Sequence, residues 1–112
     1  MSLSISFFSN FFNAHQLPIA HELSSNPDVD YCFVAMQESD GLEGRACMND
    51  CYPFIVKQYL GRAEAEKAMA HAVGDDIVVF GDMVGDESYV RARANTGKPF
   101  FRYSERILKR GD

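Results

Sequence analysis

Ile5-Ser6-Phe7-Phe8-Ser9-Asn10-Phe11-Phe12-Asn13-Ala14-His15-Gln16-Leu17-Pro18 is the stretch on which the reading of this chain turns. Ile5 to Phe8 is a short apolar run, as expected for a strand covered on both faces. A polar stretch follows at once, and then a helix must begin. Two starts fit. Asn13 and Gln16 resemble a capping box, which would put Pro18 just inside the helix and delete one backbone bond. Alternatively the helix starts near Pro18, since proline is favoured in the first turn. Either way it ends by Ser25-Asn26-Pro27, with Ile19, Ala20 and Leu23 on its inner face.

The same alternation continues outward. Tyr31 to Met36 is a second apolar run. Gln37 to Asn49 is polar, contains glycine and has no clear period, so it reads as a long loop that covers a site. Tyr52 to Leu60 reads as a short strand or an irregular aromatic segment. Glu64 to Val73 is the clearest helix, with Ala65, Ala68, Met69, Ala72 and Val73 at helical spacing. Gly74 reads as its stop, and His71 suits its last turn. Ile77 to Phe80 is another buried strand, ending at Gly81. A helix over Asp86 to Asn95 turns Tyr89, Val90 and Ala94 inward and stops at Gly97. Pro99 to Tyr103 is the last strand, and Ser104 caps a short final helix.

Strands alternating with helices imply right-handed βαβ units. The fold class is therefore α/β, a three-layer, Rossmann-like, open and mainly parallel sheet with helices on both faces. Residues 1–112 make one domain, and such a chain buries roughly two-thirds of its unfolded surface. In such a sheet ligands bind along the carboxyl edge. Two junctions would lie there: Ser9 to Pro18, and Arg102-Tyr103-Ser104-Glu105-Arg106.

Hydrophobic content of 46% and charged content of 24% are ordinary for a globular domain. The net charge of −5 argues against a nucleic-acid partner. The basic residues gather late, at Arg91, Arg93, Lys98, Arg102, Arg106, Lys109 and Arg110. They read as solvated helix faces or as a basic rim for an anion or lipid surface. Cys32 lies in an apolar run and reads as core. Cys47 and Cys51 have too few partners for a structural zinc site, so no metal is expected. No apolar run reaches 18 residues, so no transmembrane helix is expected. Met1-Ser2-Leu3-Ser4 lacks the basic region of a secretory leader. A cytoplasmic protein with reduced thiols follows as the expectation.

The familiar nucleotide signals are missing. No GxGxxG follows Phe8, no Gly-Lys-Ser/Thr loop occurs, and no GxSxG elbow appears. What remains is a polar strand-to-helix turn. Asn10, Asn13 and Gln16 can hydrogen-bond hydroxyls, which suits a sugar better than a phosphate. His15 is the candidate general base, because imidazole titrates near neutral pH; its bland alternative is an exposed loop residue. Gly81 either lets a ligand approach the backbone or is a plain turn. Arg102 and Arg106, with Tyr103 and Glu105, either clamp an anion or make interdomain contacts.

These residues carry a resemblance. Phe7 to Pro18 and Phe101 to Arg106, together with Tyr52-Pro53-Phe54-Ile55-Val56-Lys57 and Ile77 to Gly81, are similar to the N-terminal part of bacterial glycosyltransferases from polysaccharide-biosynthesis clusters. Such enzymes pair two Rossmann-like halves across a cleft, the glycosyltransferase B architecture. The resemblance implies that this half holds a sugar or glycolipid acceptor, with His15 catalytic and Asn10, Asn13, Gln16 and Gly81 binding the acceptor. It implies that the nucleotide-sugar donor belongs to a C-terminal half not contained in residues 1–112, so this chain alone would not transfer sugar and needs no cofactor of its own. It departs from the pattern at Ala14, where a second histidine is expected. An apolar surface where the other half sits, self-association through it, and a peripheral position at the inner membrane face are further expectations. The competing reading is a free-standing flavodoxin-like module that works by protein contact. A small nucleotide or redox-cofactor binder is disfavoured by the missing glycine-rich turn.

Overall fold

Five apolar segments of the chain run parallel in one sheet. The computed structural model describes residues 2–10, 12, 16–37, 52–81, 83 and 87–103. The strands are β1 (Leu3–Ser9), β2 (Val29–Ala35), β3 (Ile55–Lys57), β4 (Ile77–Phe80) and β5 (Phe101–Arg102). Their order is β3-β2-β1-β4-β5, all parallel. This is the Rossmann order, in which the chain moves outward from β1 to one side and then returns to the other. It differs from the flavodoxin order. The helices are α1 (Leu17–Ser25), α2 (Arg62–Gly74) and α3 (Ser88–Thr96). A single 3₁₀ turn, Gln58–Leu60, joins β3 to α2.

Alternation along the strands sends two different cores to the two faces. Phe8, Cys32, Val34, Val78 and Phe80 face α2 and α3, where Ala68, Ala72, Tyr89 and Val90 meet them. Small alanines let α2 approach the sheet closely. The other face is aromatic: Phe12, Ala20, Phe33, Ala35 and Ile55 pack with Phe7, Leu17, Tyr31, Tyr52 and Phe54 under α1. Cys32 is core, as its apolar run predicts.

Several elements differ in detail from the sequence expectation. Helix α1 begins at Leu17, so of the two starts Pro18 marks the one adopted. That phase turns Leu17 and Ala20 inward and leaves Ile19 64% exposed, contrary to the expectation for Ile19. In α3 the inward residues are Tyr89, Val90 and Arg93, and Ala94 is exposed. Gly97 terminates α3 in the left-handed conformation, φ 79°. Gly74 is the last residue of α2 rather than a left-handed stop. The loop expected over Gln37 to Asn49 lies, after Gln37, outside the described residues, as do Cys47 and Cys51. The helix expected from Ser104 also lies outside them.

Arg93 explains its own burial. Its guanidinium is fully buried and donates only to backbone carbonyls. Nε and Nη2 reach Pro99 O at 3.0 and 2.8 Å. Nη1 reaches Asp75 O at 2.6 Å and Ala72 O at 3.4 Å, and Nη2 reaches Asp76 O at 3.2 Å. The orphan carbonyls at the end of α2 therefore receive a cation, the arrangement that helix C-termini favour. Beside it His71 Nδ1 contacts Asp75 Oδ2 at 2.9 Å. Ser4 and Asp76 bond reciprocally: Ser4 N donates to Asp76 Oδ2 at 2.9 Å, and Asp76 N donates to Ser4 Oγ at 2.8 Å. Bonds from Ser4 N and from Ser4 Oγ hold the Asp76 carboxyl below the usual carboxylate range. The amino edge of the sheet is thus tied together by saturated polar groups.

Candidate functional site

At the carboxyl edge β1 and β4 are neighbours whose chains leave toward opposite faces. β1 feeds α1 on the aromatic face, and β4 feeds α3 on the other. This is the topological switch point, where open α/β sheets bind ligands. Asn10 follows β1, Gly81 follows β4, Gln37 lies beyond β2, and Arg102 and Tyr103 close β5. Residues about 90 positions apart thus share one edge, as the alternation predicts.

The strand exits are held one or two residues past the strands. Gly81 N donates to Phe8 O at 2.7 Å, Met36 N to Ser9 O at 2.9 Å, Gln37 N to Asn10 O at 2.9 Å, and Tyr103 N to Phe80 O at 2.8 Å. Gly81 is buried, and its lack of a side chain has a visible cause. A Cβ there would sit 3.1 Å from Phe7 Cε1 and 3.3 Å from both Phe8 O and Ser9 Oγ. The close approach that glycine allows is made by β1.

Gln16 is the residue before α1, and its side chain makes no cap hydrogen bond. Asn10 is half-buried at the mouth of the turn. Phe12 anchors this turn. It is 2% exposed and meets Phe33 edge-on with ring centroids 4.9 Å apart.

Two further residues build the rim, and no sequence motif announced them. Gln58 Nε2 donates to Met36 O at 2.8 Å, and Tyr89 Oη donates to Gln58 Oε1 at 3.1 Å. One amide therefore joins the exits of β2 and β3 to the start of α3. The only sequence signal is an amide directly after a short strand, which is too common to single out. Arg102 Nη1 contacts Glu87 Oε1 at 3.0 Å, with both side chains about half exposed (51% and 45%). Arg102 is thus engaged with the residue that precedes α3. Tyr103 is 44% exposed beside it. Asn13, His15, Glu105 and Arg106 lie outside the described residues.

The late basic residues do not form one set. Arg93 is buried, while Arg91, Lys98 and Arg102 are exposed. Among the described residues no three His, Cys, Asp or Glu side chains are grouped to hold a metal ion. Among them, too, no helix is long and apolar enough to cross a membrane. Chemically, the described rim offers amide and hydroxyl groups, which bind by donating and accepting hydrogen bonds. No known family of proteins matches this chain, and no curated protein matches it in sequence.

Proposed function

We propose that this chain is the acceptor-binding half of a glycosyltransferase that takes its sugar from a nucleotide-sugar donor in bacterial polysaccharide biosynthesis. One observation carries the reading: the segment that leaves β1 at the switch point of a Rossmann-ordered sheet, Asn10 to Gln16, bears amide side chains in its sequence and no glycine-rich phosphate motif. A ligand there meets hydrogen-bonding amides, which fit sugar hydroxyls. His15, in that turn, is the base that removes the acceptor proton. Asn10, Asn13 and Gln16 orient the acceptor. A partner half brings the donor, so the activity belongs to the two halves together, at the inner face of the membrane.

A second feature supports the reading. On the α1 side of the sheet, Val79 and Ile77 are half-buried and Phe101 is 60% exposed. Phe101 stands beside Val79, which stands beside Phe7, so these residues share one face. That apolar strip is where a second half, or another copy, would pack.

The test is sugar transfer by the protein translated from the complete reading frame, supplied with radiolabelled nucleotide sugars and a bacterial lipid extract. Transfer that falls by about 100-fold or more in His15→Ala, with the circular dichroism spectrum unchanged, is the expected result. Absence of transfer from every nucleotide sugar, or full transfer by His15→Ala, would overturn it.

A further inference from the structure

A separate cleft lies away from the carboxyl edge. The last turn of α1, the start of β2 and the turn entering β3 enclose about 620 Å³, within the size range of small-molecule sites. One wall is aromatic. The Tyr52 and Phe54 rings are 13° from parallel, with centroids 5.4 Å apart. Tyr31 meets Phe54 edge-on, also at 5.4 Å. Buried Phe12 braces Tyr52 and Phe54 at 5.5 and 5.6 Å, so the slab is fixed before any ligand arrives.

Polar groups with unspent bonding capacity surround this slab. Ser24 Oγ and Ser25 Oγ donate to His21 O at 3.4 and 2.7 Å, which leaves their lone pairs as acceptors. Among the described residues, the Tyr31 and Tyr52 hydroxyls make no hydrogen bond. Burial pushes the Tyr31 phenol well above its ordinary pKa, so it stays a neutral donor. A half-buried tyrosine hydroxyl ordinarily finds a partner.

We infer that this cleft binds a neutral saccharide ring, its apolar face on the Tyr52–Phe54 slab and its hydroxyls on Ser24, Ser25 and Tyr31. The alternatives fit less well. No lysine or arginine lines the cleft, so an anion would find no permanent counter-charge there. A quaternary ammonium neither donates nor accepts a hydrogen bond, so it would leave the serine and tyrosine hydroxyls unpaired. A polyol uses donors and acceptors together. The inference rests on these residues alone and stands apart from the reading of the carboxyl edge.

The experiment is an amide and aromatic-ring NMR titration of the 112-residue chain with maltotriose, cellotriose, chitotriose and, separately, tetramethylammonium chloride. At least one trisaccharide should shift Tyr31, Tyr52 and Phe54 saturably, with Kd on the order of 1 mM, the range for a small preformed site. Tyr31→Phe, which keeps the ring and removes only the hydroxyl, should keep the spectrum of the fold and weaken binding about fivefold, as loss of one hydrogen bond does. Tyr52→Ala should weaken it further. The inference is overturned if no trisaccharide shifts these residues, if only tetramethylammonium does, or if Tyr31→Phe binds undiminished. Saccharide shifts confined to Asn10, Gln16 and Gly81 would overturn it while supporting the carboxyl-edge site.

Discussion

The two edges of the sheet spend their polar groups in opposite ways. At the amino edge, Arg93, Asp75, Asp76, His71 and Ser4 bond to one another and to backbone carbonyls, and Arg93 is fully buried. At the carboxyl edge, the Arg102–Glu87 pair is about half exposed, and the Gln16 side chain caps nothing. A saturated, buried polar group is part of the structure. An exposed rim of hydrogen-bonding groups can afford to exchange partners with a ligand. The comparison locates a structural clamp around Arg93 at one edge and exchangeable polar groups at the other, and each prediction below strains it.

The largest effect should come from Arg93→Ala. It removes the guanidinium donors from the carbonyls of Ala72, Asp75, Asp76 and Pro99, and leaves a void. Loss of about 3 kcal/mol or more is expected from a buried network broken in this way. Urea unfolding followed by circular dichroism measures it. A loss under about 0.5 kcal/mol, the level of an ordinary surface change, would show that the amino edge is not a structural clamp.

Gly81→Ala comes next. The added methyl meets Phe7, which can shift, and the carbonyl of Phe8, which cannot. Overpacking of this kind costs about 1–3 kcal/mol. The measured midpoint should fall, though less than for Arg93→Ala. An unchanged midpoint would mean that β1 does not occupy the space beside Gly81, and that this space is open to a ligand instead.

His71 gives a smaller effect with a defined sign. Its hydrogen bond to Asp75, and then its interaction with Cys32, push its pKa up to about 10. The folded value exceeds the unfolded value of about 6.5. The resulting stabilisation is therefore complete below about pH 6.5 and is lost as pH rises toward 10. His71 is about a third exposed, so after solvent screening the effect should be about 1 kcal/mol or less. Subtracting the stability curve of His71→Gln from that of the parent protein isolates it. A difference that grows with rising pH would contradict the assignment.

The smallest effect belongs to Arg102→Ala. An exposed ion pair is worth about 0–1 kcal/mol, so thermal unfolding should hardly move. A loss comparable to that of Arg93→Ala would erase the distinction between the edges.

Much of this architecture is legible in the residues, because parallel strands buried on both faces are continuous apolar runs. Ile77 to Phe80 has the same limits in sequence and structure. Gly97 marks its helix end because only an unhindered residue takes that φ easily. Phase was harder. Reading α3 by apolar spacing turns Ala94 inward, whereas Arg93 takes that place because distant carbonyls receive its guanidinium. Ile19 reads as core until Leu17 starts the helix and rotates it outward. The placement of Asn10 and Gly81 on one edge follows from strand punctuation alone. Gln58 and Phe12 could not be found that way, since Met36, Tyr89 and Phe33 reach them only through tertiary packing. The cleft at Tyr31, Tyr52 and Phe54 is likewise assembled from segments over 20 residues apart.

The most direct measurement on the central proposal is the nucleotide sequence of the reading frame past codon 112. The account predicts a second α/β half, about 150 residues or more by the usual size of a domain, with paired acidic residues for a donor ribose. A stop codon directly after Asp112 would contradict it.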